Sequence, residues 1–391
     1  MGNCGHRCPT FAGPLLVPRD LPDSDPRKWV YTAHARAKHA IQRTYLGAWL
    51  AILGRHFSPL ILFDGFAGRG RYEGNEEGSP LLFFNRAAEA VDRGRATEVQ
   101  IRCVELDHEN LENLQTVISG LRHTGVSIDA RCGAFSEEAL SSAAKLGTWE
   151  RIPPVFWTAD PFGFRGVPLS TIRILMALPR SEVLLTFMVR DMRRFLAEPN
   201  HQVPMTEFFG GEAWRKCLDL EAGDDRERCL LLTYSALVRD GIAKFATPFR
   251  VFEDERRQTL YYLIHLTNNG LGMRQMKRAM IKESKDMTFW PVTVRPPDQL
   301  ALDVEEVAPY PSLQTHLAES YIGRTMTFEE LLNTDYPEGL WLEPEYRAAL
   351  LAMEDRESVI VTRTRSTPTG RAPRGLQEPD KIAFSGQASL I

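Results

Sequence analysis

Residues 60–72, Leu-Ile-Leu-Phe-Asp-Gly-Phe-Ala-Gly-Arg-Gly-Arg-Tyr, constrain the fold of this chain more than any other stretch. Leu60–Phe63 is a short apolar run that reads as a buried strand, and Asp64 ends it. Gly65, Gly68 and Gly70 then let the backbone turn sharply and approach a ligand, because glycine has no Cβ. A helical pattern begins after Ser79-Pro80. Strand, glycine turn and helix together build a pocket at the carboxyl end of a parallel strand in α/β folds; the plain alternative is an ordinary tight βα turn. The alternation continues down the chain. Strands are expected at Leu60–Asp64, Val99–Glu105, Val126–Ala130, Val155–Asp160 and Glu182–Phe187, with helices over 79–91, 108–121, 136–146 and 168–178. Such a rhythm requires a mainly parallel sheet covered on both faces. A long helical pattern from Trp29 to Leu53 precedes it. A helical stretch over 204–241 follows, then strands Phe245–Phe252 and Leu260–Thr267 separated by the short polar Asp254-Glu255-Arg256-Arg257-Gln258. A hairpin there makes the last strand antiparallel, and Asn269-Gly270 opens a helix over 271–286.

At 391 residues the chain has room for more than one domain. Residues 1–27 read as an irregular arm rich in Pro, Gly and Asp, and 28–290 as the α/β domain. Residues 291–312, with five prolines, read as a linker. Residues 313–391 give helices over 313–320, 327–334 and 343–354, then strands Ser358–Thr362 and Ile382–Phe384. Between those strands lie Arg363, Arg365, Arg371, Arg374 and Lys381. Three helices and a hairpin with a basic tip look like a winged helix, an α+β module that binds nucleic acid through a helix and a basic wing. A protein-interaction or dimerisation module fits the same pattern. The net charge of −4 excludes a nucleic-acid polycation, though not a local basic patch. No apolar run reaches the roughly 20 residues needed to span a bilayer. The N-terminus lacks a secretory pattern, and His6 departs from the Ser or Thr of a myristoylation signal, so the chain reads as cytoplasmic. Cys103 and Cys132 read as core thiols at strand ends, and Cys217 and Cys229 lie in helical patterns. Cys4 and Cys8 flank His6, but no second pair completes a zinc site, and no metal is expected.

The loop Asp64-Gly65-Phe66-Ala67-Gly68-x-Gly70 resembles the first motif of class I S-adenosylmethionine (SAM) methyltransferases, in the Phe-Ala-Gly form of many DNA methyltransferases. The resemblance implies a Rossmann-like sheet of about seven strands, the last antiparallel, with SAM as cofactor. Asp64 or the backbone beside it would face the methionine amino group, and Phe66 would form an apolar wall. Glu105, with Leu106 beside it, ends the second strand, where a carboxylate can accept hydrogen bonds from both ribose hydroxyls. Asp107 reads as the cap of the next helix. Ala134 and Phe135, after the third strand, are the expected adenine contacts; a packed aromatic is the equal alternative for Phe135.

After the fourth strand stands Asp160-Pro161-Phe162-Gly163-Phe164. It resembles the Asp/Asn-Pro-Pro-Tyr/Phe signature of amino-methyltransferases, without the second proline. There the polar side chain accepts hydrogen bonds from the target amine and so aims its lone pair at the methyl group. Asp160 is therefore the expected orienting residue or general base, and Phe162 the expected stacking residue. Pro161, Phe164 and Tyr72 would complete the substrate wall. Arg190 and Arg194, in Arg190-Asp191-x-Arg193-Arg194, would bind phosphate or carboxylate, unless they form a solvated helix face with internal ion pairs. Arg36, Lys38, Arg69 and Arg71 would add to a basic rim.

Across most of its length the chain resembles the three-Cys-motif partner family of bacterial proteins. The matching residues are Trp29, Lys38, Ile41, Tyr45 and Trp49-Leu50, then Phe63 to Gly70 with Tyr72-Glu73-Gly74 and Gly78-Ser79-Pro80-Leu81. Asp160-Pro161-Phe162-Gly163, Tyr261 to Ile264, Thr267-Asn268 and Met276-Lys277 follow. The resemblance implies a methyltransferase-like domain with a C-terminal winged helix, paired with a cysteine-rich, radical-SAM-like partner protein. The chain departs from that family after the fifth strand, where Thr186-Phe187-Met188-Val189-Arg190 replaces an Asn-Phe-Ser-like turn. The expected activity is methyl transfer to an N or O acceptor on a nucleobase, nucleoside or peptide-like substrate. Two other readings use the same residues: a nucleic-acid hydrolase with Asp64, Glu105 and Asp160 around magnesium, and a non-catalytic nucleic-acid- or protein-binding partner.

Overall fold

Strands β1 (Leu60–Asp64), β4 (Val155–Ala159) and β5 (Ser181–Phe187) show no alternation of polar and apolar side chains because both their faces are covered. The computed structural model describes residues 30–220, 223–252, 258–283, 312–337, 341–364 and 375–385. The expected N-terminal arm with Cys4, His6 and Cys8, the tip of the first hairpin, nearly all of the linker, and Arg365, Arg371 and Arg374 lie outside these residues. The chain divides into two compact units, Met1–Thr288 and Phe289–Ile391.

In the first unit, β2 (Val99–Glu105) and β3 (Val126–Cys132) join β1, β4 and β5 in parallel pairing. Strands β6 (Phe245–Phe252) and β7 (Thr259–Thr267) form the antiparallel hairpin, with β7 inserted beside β5. The strand order β3-β2-β1-β4-β5-β7-β6 is that of a methyltransferase-type α/β sheet. The switch between β1 and β4 puts the carboxyl ends of both strands at a ligand-binding crevice.

The first helix, α1, runs Ala33–Leu53 and is N-capped by Thr32, whose hydroxyl accepts from the Ala35 N–H at 3.3 Å. Trp29, expected at its start, lies outside the described residues. Tyr45 and Trp49 on its inner face pack on Phe156 of β4, with ring centroids 5.4 and 6.1 Å apart. Helices α2 (Ser79–Asp92), α3 (His108–Ser119), α4 (Phe135–Ala144) and α5 (Leu169–Ala177) follow their strands as expected. The helical stretch expected over 204–241 is divided into α7 (Pro199–Phe209), a 3-10 segment (Glu212–Asp219) and α8 (Asp224–Arg239). Gly210 ends α7 in the left-handed region, at φ 64°, and so supplies the break. The short α6 (Val189–Phe195) is the helix that the alternative reading of Arg190 to Arg194 gave. Helix α9 (Gly270–Glu283) closes the unit, with the Asn269 side chain accepting from the Gly272 N–H at 3.0 Å.

Two clusters pair buried polar groups in this unit. Glu227 of α8 is 2% exposed and accepts from Arg193 Nη1 at 2.7 Å, Arg250 Nη2 at 3.1 Å and the Tyr262 hydroxyl at 2.7 Å. Glu182 accepts from the Tyr45 hydroxyl and pairs with His265 Nε2 at 2.9 Å. Cys217 and Cys229 form a disulfide, and Cys103 is a buried free thiol. Cys132, half-buried at the end of the edge strand β3, is disulfide-bonded and so is not a core thiol.

The second unit contains α10 (Leu313–Ser320), β8 (Thr325–Thr327), α11 (Phe328–Thr334), α12 (Glu343–Asp355), β9 (Val359–Thr362) and β10 (Lys381–Phe384). The three strands pair antiparallel in the order β8-β10-β9. Strand β8 was missed from the pattern because three residues are too few to show a period. Asp335 holds the unit together: it accepts from His316 Nε2 at 2.7 Å, the Tyr321 hydroxyl at 3.1 Å and the Tyr346 hydroxyl at 2.6 Å. No helix among the described residues is long and apolar enough to cross a membrane.

Candidate functional site

The crevice is built from the carboxyl ends of β1, β2, β4 and β5, which present Asp64, Glu105, Asp160 and Thr186. Gly68 and Gly70 take positive φ, 62° and 85°, so both positions favour glycine. Gly65 is glycine for a different reason. A Cβ there would collide with the Phe135 ring and lie 2.9 Å from the Thr158 carbonyl oxygen.

Asp64 is buried. Its Oδ1 accepts from the Phe66 N–H at 3.4 Å and the Thr158 hydroxyl at 3.3 Å, while its Oδ2 has no hydrogen-bond partner. Burial pushes this carboxyl above its usual range, against the Ser79 side chain and the Phe66 N–H, which act to lower it. An unpaired, buried carboxylate oxygen is costly unless a donor or cation meets it. Glu105 ties two loops together, its Oε2 accepting from the Gly68 N–H and its Oε1 from the Asp107 N–H, each at 2.8 Å. Each oxygen keeps a lone pair for a further donor. Asp107 caps α3 as expected, accepting from the Asn110 N–H at 2.9 Å. Leu106 is exposed beside it. Ala134 is the N-cap residue of α4, and Phe135 is buried, stacked on Phe66 with centroids 5.6 Å apart. Phe135 therefore fills the space that Gly65 leaves.

The residue that the sequence placed on a basic rim is instead at the centre. Lys38 of α1 donates to Asp160 Oδ2, and the Thr186 hydroxyl donates to Oδ1. The Lys38 side chain is 13% exposed and that of Asp160 32%. Burial opposes ionisation of Asp160, but the Lys38 charge and the hydrogen bonds from Lys38 and Thr186 override it and hold the carboxyl below its usual range. Burial would likewise discharge Lys38, and the Asp160 carboxylate overrides that, raising the ammonium's pKa. His39 is pushed down to about 3 by burial and then by the Lys38 charge, so its imidazole is neutral at physiological pH. Tyr31, His39 and Tyr72 form an aromatic group with centroid separations of 4.7 to 5.8 Å. The buried Tyr261 donates to the His34 carbonyl at 3.1 Å, and burial raises its pKa and that of Tyr72. Asp160 is thus a fixed, ionised hydrogen-bond acceptor and a weak base.

The remaining expected residues divide. Phe162 stands 85% exposed beyond the buried Pro161. Phe164 is 3% exposed and packs on His201 of α7 at 5.8 Å. Arg193 turns inward to Glu227. Arg190 lies 3.9 Å from Asp191 Oδ1, and Arg194 sits over the Phe195 ring at 5.1 Å. The sequence reading missed Thr186, His39, Tyr31 and Tyr261 as parts of this group. The available signal for Lys38 was its place on the apolar stripe of α1, in step with Ile41 and Tyr45. A groove of about 270 Å³ bordered by Arg102 and Asp129, and a shallow pocket of about 590 Å³ bordered by Cys229, lie elsewhere; neither is lined by Lys38, Asp160 or the glycine loop.

No family model and no curated protein matches the chain, so the resemblance to three-Cys-motif partner proteins rests on its motifs. Among solved structures, human methyltransferase-like protein 13 in complex with SAH is similar at 12% identity and TM-score 0.32, covering 68% of this chain and 98% of that one. An rRNA methylase from Streptococcus thermophilus is similar at 12% identity and TM-score 0.26, covering 56% and 92%. A Legionella pneumophila protein is similar at 12% identity and TM-score 0.39, covering 64% and 92%. Likenesses this distant carry no argument about the reaction, and the methyltransferase-like fold stands on the strand order.

Proposed function

We propose that the chain is a SAM-dependent methyltransferase acting on an N or O acceptor. The observation that carries this reading is the unpartnered Asp64 Oδ2, buried at the end of β1 beside a glycine loop pinned by Glu105. A ligand with a cationic amino group and a vicinal diol suits the pair: Asp64 would receive the amino group and Glu105 the two hydroxyls. SAM, when bound, supplies an electrophilic methyl group that needs little further activation. The protein's work is then positioning and exclusion of water. Ionised Asp160, fixed by Lys38 and Thr186, would accept a hydrogen bond from the acceptor's N–H or O–H and orient its lone pair. Phe162 would stack on a flat acceptor.

A magnesium-dependent hydrolase would need Asp64, Glu105 and Asp160 to face one ion. Asp160 already pairs with the Lys38 ammonium, which would repel a divalent cation there, and this favours the transferase. The helix-strand-helix-helix-strand-strand order of the second unit supports a winged-helix reading and, with it, nucleic acid as the acceptor's carrier. A radical-SAM-like partner protein rests on the motif resemblance.

Titration calorimetry with SAM and S-adenosylhomocysteine tests the cofactor. Binding is expected in the wild type, and Glu105→Ala should weaken it about 10- to 100-fold, the worth of hydrogen bonds to a charged group. Asp64→Asn should weaken it similarly. A folded protein that binds neither ligand would sink the methyltransferase reading, and metal-dependent nicking without SAM would replace it.

A further inference from the structure

We propose that Cys229 is a thiolation site, at which an acidic low-molecular-weight thiol exchanges into the Cys217–Cys229 disulfide. The two sulfurs are not equivalent. Cys217 is wholly buried in the 3-10 segment, whereas Cys229, on α8, is half-buried and lines the shallow pocket of about 590 Å³. The other lining residues include Lys216 and Arg239, and no acidic side chain is among them. An approaching thiolate therefore reaches only Cys229, and two positive side chains favour one that carries carboxylates.

The exchange balances without an added oxidant. The incoming thiolate attacks Cys229 Sγ, the Cys217–Cys229 bond breaks, and a new disulfide joins the thiol to Cys229. The electron pair leaves on Cys217 Sγ, which takes up a proton as a buried thiol. Thr233, which lines the same pocket, has its Oγ1 3.9 Å from Cys217 Sγ and can meet the departing sulfur. Return attack by Cys217 on the mixed disulfide restores the bond, so the modification is reversible.

The exchange loosens the tie between the 3-10 segment and α8. Helix α8 carries Glu227, which holds Arg193 of α6, and α6 begins two residues after β5 ends and three after Thr186. Thiolation at Cys229 therefore acts on an element continuous with the Asp160 crevice, and it stands whether or not the methyltransferase reading does.

The test uses the full chain, first alkylated without reductant and then treated with reduced glutathione or with uncharged mercaptoethanol. Peptide mass mapping should find Cys217 and Cys229 protected before treatment and glutathione attached to Cys229 after it. The double variant Lys216→Ala/Arg239→Ala should slow the glutathione reaction about tenfold at low salt and leave the mercaptoethanol rate unchanged. Alkylation of both cysteines before any reductant, attachment at Cys217, or equal slowing of both thiols would each overturn the proposal. A melting curve of the double variant separates these outcomes from loss of the fold.

Discussion

Replacing Lys38 with Met removes the ammonium and keeps an unbranched stem in the same space. Asp160 is then left with Thr186 but without its cation. Breaking a fully buried pair by removing one partner costs about 3–5 kcal/mol. Here the Asp160 side chain is 32% exposed, so water recovers part of that, and the expected loss is about 2 kcal/mol. For a unit of this size the melting temperature should fall by about 4 °C. The double variant Lys38→Met/Asp160→Asn removes the stranded charge and should recover about half of the loss. The effect also has a pH sign. In the wild type the Asp160 pKa lies below 3.8, so its contribution is present above that value and is lost as pH falls through the depressed folded pKa. In Lys38→Met burial acts nearly alone and the folded pKa rises above 3.8, so this group destabilises more as pH rises. The gap between the two proteins should therefore be widest near pH 7 and narrow toward pH 4. Denaturant unfolding of the four proteins of the cycle at several pH values measures this. Lys38→Met as stable as wild type, or a double variant as weak as the sum of its singles, would refute the reasoning.

Gly65→Ala forces a methyl against the Phe135 ring and should cost about 1–3 kcal/mol; an unchanged melting temperature would show that the ring gives way freely. Glu227→Gln leaves Arg193 and Arg250 without a counter-charge and should cost about 3 kcal/mol in denaturant unfolding, whereas a loss under about 0.5 kcal/mol would mean that the cluster is well hydrated. In the second unit the hydrogen bond to Asp335 raises the His316 pKa above 6.5. Its contribution is thus fully present below about pH 6.5 and is lost as pH rises through the folded value, so the stability gap between wild type and His316→Ala should shrink in alkaline solution. A gap that does not change with pH would count against it.

The sheet was legible because its strands are apolar runs punctuated by glycine and proline, and their bounds agree with the pattern to within two residues. Asp64, the glycine loop and Glu105 were legible for a related reason: strand ends fix where such residues must lie. The pairing of Lys38 with Asp160 was not, because it joins residues 122 positions apart and depends on how α1 lies over the sheet. The same holds for Thr186, which reads as one hydroxyl in an apolar strand until the register of β5 beside β4 puts it next to Asp160. The surface on which Phe164 packs was not legible either, because motif spacing gives an aromatic ring's position and not its direction; that surface is His201 of α7.

The helix that precedes the sheet thus completes the crevice that the sheet opens. A fragment beginning at β1 would keep all seven strands, the glycine loop and both strand-end carboxylates, Asp64 and Glu105. It would nonetheless hold Asp160 with no cation against it, and that carboxylate would lose the donor that fixes its orientation. Where an alignment of distant sequences starts therefore matters: one trimmed to the sheet would group proteins that have this ammonium with proteins that lack it, although only the first hold the carboxylate after β4 in a fixed position.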